Sequence, residues 1–185
     1  MNTLFNNYAE YYDNFYSDKN YVSESRYLCK ILKKNNISKG KILDFGCGTG
    51  THAILLNKYN YYVLGIDISS KMISIAKKKI KNNQNKNIEF KKANIKYLNL
   101  KKKFNAVISM FHVLSYQTET SEIKNFFKNS YNHLHRNGIL IFDFWYGPGI
   151  ILSKQIRREK KIKIKNTYLK RISEPKINYS KNIVN

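Results

Sequence analysis

The stretch Lys41-Ile42-Leu43-Asp44-Phe45-Gly46-Cys47-Gly48-Thr49-Gly50 decides how the rest of the chain is read. Ile42, Leu43 and Phe45 make a short apolar run of the kind a strand shows when both its faces are buried, and glycines at alternate positions follow it. Glycine lets the backbone take positive φ and lets a ligand approach the main chain. The stretch therefore predicts a strand, a ligand-cradling loop and a helix beginning after Gly50. A dinucleotide fingerprint places its glycines as G-x-G-x-x-G. Here the third glycine falls one residue early, at Gly50, with Thr51 in the expected place, and Asp44 ahead of the first glycine is foreign to that pattern.

Outward from this loop the chain alternates. Ala53, Ile54, Leu55 and Leu56 lie in a helical stretch, and YYVLGID (61–67) reads as a second strand. Ser69 is suited to cap a helix in which Met72, Ile73, Ala76 and Ile80 recur at helical spacing and Lys77, Lys78, Lys79 and Lys81 fill the last turns. The loop NNQNKN (82–87) precedes a strand over 87–95, and FNAVISMF (104–111) reads as a fourth strand. Glu119 and Glu122 open a helix carrying Ile123, Phe126, Phe127 and Leu134, which Asn137 and Gly138 stop before a fifth strand over 138–145. Upstream, residues 1–38 are Tyr-rich and then helical, with Val22, Leu28, Ile31 and Leu32 on one face. Downstream of Pro148, the segment 162–172 and the segment 177–184 read as two strands joined by a turn at Glu174 and Pro175. Strands alternating with helices imply an α/β fold, a doubly wound, mainly parallel sheet with helices on both faces. The ligand crevice then lies at the carboxyl ends of the strands, and the C-terminal strands form a small antiparallel pair.

Composition narrows the function classes. The 185 residues carry 34 Lys and Arg against 12 Asp and Glu, a formal charge of +22. Such a charge suits nucleic acid, yet it consists of 29 Lys and only 5 Arg beside 24 Asn. That mixture is what an A- and T-rich coding sequence produces, whereas recognition surfaces favour the arginine fork. Most of the charge is therefore read as solvated helix and loop lysines, and nucleic acid is the less favoured partner. There is no apolar run long enough to span a membrane and no signal-peptide pattern at the N-terminus, so a cytoplasmic protein without a membrane partner is expected. Two cysteines, Cys29 and Cys47, make neither a disulfide framework nor a zinc site, and no metal is expected.

The spacing D-x-G-x-G-x-G over Asp44 to Gly50, with Asp67 ending the second strand, resembles the cofactor motifs of class I S-adenosylmethionine-dependent methyltransferases, a Rossmann-like family. YAEYYDNFY (8–16), DFGCGTGTH (44–52), SMFHVLSY (109–116) and FDFWYGP (142–148) are similar to the small-molecule branch that includes deoxysugar amino-group N-methyltransferases. The resemblance implies S-adenosyl-L-methionine as cofactor and a binding set of Tyr12, Asp44, Gly46, Cys47, Gly48, Thr49, Gly50, Asp67, Ile68, Met72, Asn94, Ile95, Met110 and Phe111. Asp67 is suited to accept ribose hydroxyls. Asn94 stands where the family commonly has an acid for the adenine amine. The implied acceptor pocket contains Tyr16, Tyr116, Asp143, Trp145 and Tyr146, with His112 as candidate base. His52, His133 and His135 are read as structural.

Residues 1–38 are then expected to form a lid that includes Tyr8, Tyr12 and Tyr16; 39–147 form the cofactor core, and 148–185 begin a substrate-side insertion, all in one domain. Transfer to a small-molecule acceptor, an amino sugar or nucleotide-linked sugar, is the favoured activity. An RNA-modifying enzyme or basic RNA binder, and a non-catalytic cofactor-binding remnant, are the alternatives. No D/N-P-P-Y sequence of nucleic-acid amine methyltransferases is present. Family members usually run longer, so a truncated or split gene, a homodimer, or completion by another chain is expected, since an uncovered edge strand invites pairing.

Overall fold

A computed structural model describes residues 2–81, 87–153, 156–164, 166–181 and 183–184, the side chains of residues 2–7 excepted. Two helices, α1 (Asn2–Phe15) and α2 (Tyr21–Lys34), precede an alternating core of β1 (Gly40–Phe45), α3 (Thr51–Lys58), β2 (Tyr61–Asp67), α4 (Ser70–Ile80), β3 (Ile88–Lys92), β4 (Phe104–Ser109), α5 (Thr120–His133) and β5 (Leu134–Phe142). The five strands form one parallel sheet in the order β3-β2-β1-β4-β5. Chain order reverses beside β1, where β2 lies on one side and β4 on the other, so the crevice opens at the carboxyl ends of β1 and β4.

Period-two alternation explains why the strands read as continuous apolar runs. Ile42, Val63, Ala106 and Ile108 face a core that also holds Leu28 and Leu32 of α2, Leu56 of α3 and Ile73 and Ala76 of α4. Their chain neighbours Leu43, Leu64 and Val107 face the other core, with Phe45, Ile66, Phe104 and Phe126 of α5. Tyr61, fully buried, is tolerated in the first core because its hydroxyl donates to the Ile37 carbonyl at 2.8 Å.

Ser69 caps α4 as the sequence predicts, its side chain accepting from Met72 N at 3.3 Å. Ser69→Ala is expected to lower unfolding stability by about 1 kcal/mol, measured by urea denaturation. Glu119 and Glu122 open α5 as expected, and they do so with a reciprocal capping box. His133 is structural: Leu100 N–H donates to its Nε2 at 3.1 Å, which leaves Nδ1 to donate to the Asn129 carbonyl at 2.6 Å.

Several boundaries differ from expectation. The third strand stops at Lys92 because Asn94 caps a short 3-10 turn over Ile95–Tyr97, accepting from Lys96 N at 2.8 Å. The fourth ends at Ser109, before Phe111 and His112 enter the left-handed region. The fifth begins four residues early, at Leu134. Its pairing shifts between Phe104↔Leu134 and Ala106↔Ile139, and Asn137 at φ 65° absorbs the extra residues, so Asn137 and Gly138 sit in an irregular strand rather than at the helix end. It also stops at Phe142, ahead of Asp143. The predicted loop over 82–87 lies outside the described residues except for Asn87.

After the sheet come α6 (Gly147–Leu152), which the sequence reading did not foresee, and an antiparallel hairpin of β6 (Arg158–Ile164) and β7 (Thr167–Ser173). The segment read as a single strand over 162–172 is thus split by a reversal between Ile164 and Thr167. Ile177–Asn178 and Ile183–Val184, β8 and β9, pair separately. Among the described residues no helix is long and apolar enough to cross a membrane.

Candidate functional site

The loop after β1 is built on three left-handed glycines, Gly46 at φ 69°, Gly48 at 54° and Gly50 at 80°. Two of them are also forced by packing. A Cβ on Gly46 would stand 2.6 Å from Val113 Cγ2, and one on Gly50 would stand 2.4 Å from Phe90 Cζ. Gly48 differs: a Cβ there would meet nothing within 4 Å, so its main chain faces open space. This is where a ligand can lie against the backbone.

Asp67 ties this loop to the end of β2. Its Oδ2 accepts from Gly48 N at 3.0 Å and its Oδ1 from Ser69 N at 2.8 Å. Burial pushes its carboxyl upward, while the N–H groups of Ser69, Gly48 and Ile68 pull it back. A carboxylate has about four acceptor sites, so these bonds leave capacity for a ligand hydroxyl.

Asp44, inside β1, is only 3% exposed, and its carboxyl makes no hydrogen bond among the described residues. Burial, and then the charge of Asp67, push its carboxyl up to about 8. Among the described residues no basic side chain pairs with the buried Asp44 or the half-buried Asp67, and of the two it is Asp67 whose charge pushes on the other. Cys47 donates its N–H to the Ile66 carbonyl at 2.9 Å and packs its side chain on the α2–α4 core. Burial raises its thiol, which keeps it protonated.

The N-terminal helix reaches the loop through a residue that the sequence reading missed. Asp13 accepts from the Thr49 hydroxyl at 2.6 Å and pairs with Lys79 of α4 at 2.7 Å. Its signal was faint, an acid one helical turn from Ala9 and three residues before Tyr16. Tyr12 and Tyr16 then stand over the loop after β4: their ring centroids are 6.5 and 4.9 Å from that of Phe111. Burial pushes the Tyr12 phenol far up, so it stays protonated. Tyr116 lies near enough to Tyr12 and Tyr16 to influence their phenols or be influenced by them.

The loop after β4 is held by Asp143, whose oxygens accept from Phe111 N at 2.9 Å and His112 N at 2.6 Å. Phe111 and His112 both adopt the left-handed conformation, at φ 68° and 63°, and turn consecutive N–H groups to one carboxylate. Asp143, expected in the acceptor pocket, is therefore occupied in holding this loop. The His112 ring lies between Phe111 at 5.6 Å and Trp145 at 5.9 Å, and its Nδ1 is buried without a hydrogen-bond partner.

Other expected residues spread out. Met110 packs on the α2–α4 core, and Ile95 packs on the core beneath α5. Met72 is 2% exposed. Asn94 is exposed and already spends its carbonyl oxygen on a cap. Ile68 and Tyr146 are exposed, Tyr146 just before α6. His52 pairs with Glu24 of α2 at 2.8 Å, and that bond is the main cause lowering the Glu24 carboxyl to about 2.

Comparison with known proteins decides what this geometry belongs to. A methyltransferase domain model matches residues 42–138, more than half of the chain. The chain belongs to this methyltransferase family. A putative methyltransferase of Geobacillus sp. (strain WCH70) is 34% identical over 75% of the chain and 56% of its own length. The Streptomyces venezuelae dTDP-3-amino-3,4,6-trideoxy-alpha-D-glucopyranose N,N-dimethyltransferase is 26% identical over 82% of the chain and 65% of its own length. Among solved structures, Streptomyces venezuelae DesVI superposes with a TM-score of 0.77 at 23% identity, covering 91% of the chain and 70% of DesVI, a likeness of fold. This methyltransferase-family chain thus spans between 56% and 65% of the two curated relatives.

Proposed function

We propose that the chain binds S-adenosylmethionine at the Gly46–Gly50 loop and promotes methyl transfer to the amine of a small-molecule acceptor, an amino sugar or nucleotide-linked sugar. The observation that carries this reading is the open ground over Gly48 between Asp67 and the unpaired Asp44. The residues fit the group: a backbone without Cβ for close approach, a carboxylate for ribose hydroxyls, and a buried acid, Asp44, that can ionise against a cationic ligand. S-adenosylmethionine supplies a methyl on a sulfonium, whose departure leaves a neutral thioether.

The protein's own task is alignment and exclusion of water. Tyr12, Tyr16 and Phe111 wall the crevice, and α1 serves as a lid latched by Asp13 to Thr49 and Lys79. His112, half-exposed between Phe111 and Trp145, receives the acceptor amine's proton, with Asp143 fixing the loop that carries it. An acceptor on the amino-sugar scale is supported by the Streptomyces venezuelae relative named above.

Isothermal titration of the full chain with S-adenosylhomocysteine tests the cofactor reading, with saturable micromolar binding as the expected result. Heat indistinguishable from dilution, from a folded sample, would overturn it. Mass spectrometry of nucleotide-linked amino sugars incubated with chain and cofactor is expected to show added methyl groups.

A further inference from the structure

An acid just after β5 and a histidine just after β4 are brought together by main-chain turns. Asp143 is pinned by its own N–H, which donates to the Ser109 carbonyl at 3.2 Å. Its two oxygens accept from Phe111 N and His112 N, and both of those residues stand in the left-handed region, where consecutive N–H groups converge on one anion. Each oxygen of an ionised carboxylate has a second lone pair, so these bonds leave room for a further donor.

The donor at hand is the His112 ring. Its Nδ1 lies 3.9 Å from Asp143 Oδ1 and is buried without a hydrogen-bond partner among the described residues, although the side chain as a whole keeps 36% of its surface exposed. That exposure therefore lies away from Nδ1. The ring is held between Phe111 and Trp145, and Trp145 is held in turn by its N–H, which donates to Ser115 Oγ at 3.1 Å. Lys19 sits 4.6 Å from the Phe111 ring but is paired with Glu24, and the phenol of Tyr12, whose ring packs on Phe111 from α1, stays protonated. Asp143 is thus the charged group that Nδ1 meets.

A neutral imidazole carries one N–H and one lone pair. A lone pair on Nδ1 would face a carboxylate across a gap too narrow for water and be repelled, whereas an N–H there is attracted and needs only a small ring rotation to bond. We infer that Asp143 is a positioning residue that fixes His112 as the Nδ1–H tautomer, which makes Nε2 the atom that receives the acceptor's proton. In that step one N–H bond of the acceptor's ammonium breaks and one Nε2–H bond forms; the acceptor nitrogen keeps the electron pair, the Asp143 carboxylate balances the imidazolium, and the proton then passes to water. The inference deepens the proposed function and rests on it for the source of the proton, but not for the tautomer.

The test is nitrogen-15 NMR of the full chain labelled at its four histidines, at pH 8, with the His112 signals assigned from His112→Gln. His133, whose Nε2 accepts from Leu100 N, is the internal control and is expected to show Nδ1–H in every folded variant. His112 is expected to show Nδ1–H in the natural chain and to pass mainly to Nε2–H in Asp143→Asn. Where the chain methylates an amine, kcat is expected to fall about tenfold in Asp143→Asn with KM for the acceptor within about twofold. A role confined to holding the loop would instead loosen acceptor binding and leave the tautomer where it is. An Nε2–H signal for His112 in the natural chain, an unchanged tautomer in Asp143→Asn, or a rise in KM alone overturns the inference. Equal rates for His112→Gln and the natural chain remove His112 as the base, and the tautomer signals still decide whether Asp143 sets the ring.

Discussion

Asp67→Ala is expected to weaken S-adenosylhomocysteine binding about a hundredfold, a loss of about 2.7 kcal/mol, because two charge-assisted interactions disappear together. The first is to the ligand: no other carboxylate at the end of β2 can accept from a ribose. The second is internal. Without Asp67 the Gly48 N–H loses its 3.0 Å acceptor, and the open face of the glycine loop is no longer tied to β2. Asp67→Asn keeps one acceptor oxygen and is expected to lose about tenfold, since the amide cannot serve Gly48 N–H, Ser69 N–H and a hydroxyl at once. Calorimetric titration of the three proteins at pH 8 reads this directly. A loss under about threefold in Asp67→Ala would remove Asp67 from the binding site. The fold is expected to survive the change, because removing the half-buried Asp67 takes away a charge that helps push the Asp44 carboxyl up.

How far the sequence carried the reading depends on where the determinants lie along it. The parallel core was legible because strands buried on both faces appear as apolar runs ended by glycines, and the Asp44 to Gly50 and Asp67 positions are set by local turns. The hairpin was not. Lys160, Ile162 and Ile164 alternate into Leu169 and Arg171 across the reversal, and period-two polarity cannot show a tight turn that lacks an Asn-Gly type signal. The same limit explains the start of β5, where His135, Arg136 and Asn137 read as the end of a helix yet lie on an exposed, irregular edge strand. Asp13 and Asp143 owe their roles to partners 36 and 32 residues away. No local pattern announces such contacts. Residue type did carry some information: Asp143 was picked out as an acid at a strand end, and what the sequence could not tell was that main-chain N–H groups would claim it.

Affinity for S-adenosylmethionine and S-adenosylhomocysteine is expected to fall about tenfold per pH unit as pH drops from 8 to 6, and to become nearly independent of pH in Asp44→Asn. The argument begins with burial. Asp44 is enclosed beside Asp67, and the described residues offer it neither a hydrogen bond nor a cation, so its carboxyl rises to about 8 and holds a proton in the empty site. Asp67, with three backbone N–H groups to stabilise its charge, is the member of the pair that ionises. A ligand ammonium that gains from an ionised Asp44 must first displace that proton, and the work of doing so grows as pH falls below the carboxyl's value. Cys47 also faces the pair, but burial keeps its thiol neutral throughout this range. Stability moves in the opposite sense. The acid's folded value lies above its unfolded one, so its contribution is fully present below the ordinary carboxylate range and is lost as pH rises toward about 8. Asp44→Asn is therefore expected to outlast the natural chain in urea at pH 8 while binding ligand more weakly there, and to match it in binding at pH 6. Titration calorimetry in two buffers of different ionisation heat adds an independent check, because the natural chain must release close to one proton per ligand bound near pH 7 and the variant none. Equal pH profiles for the two proteins would show that the buried carboxyl at the end of β1 does not meet the ligand's charge.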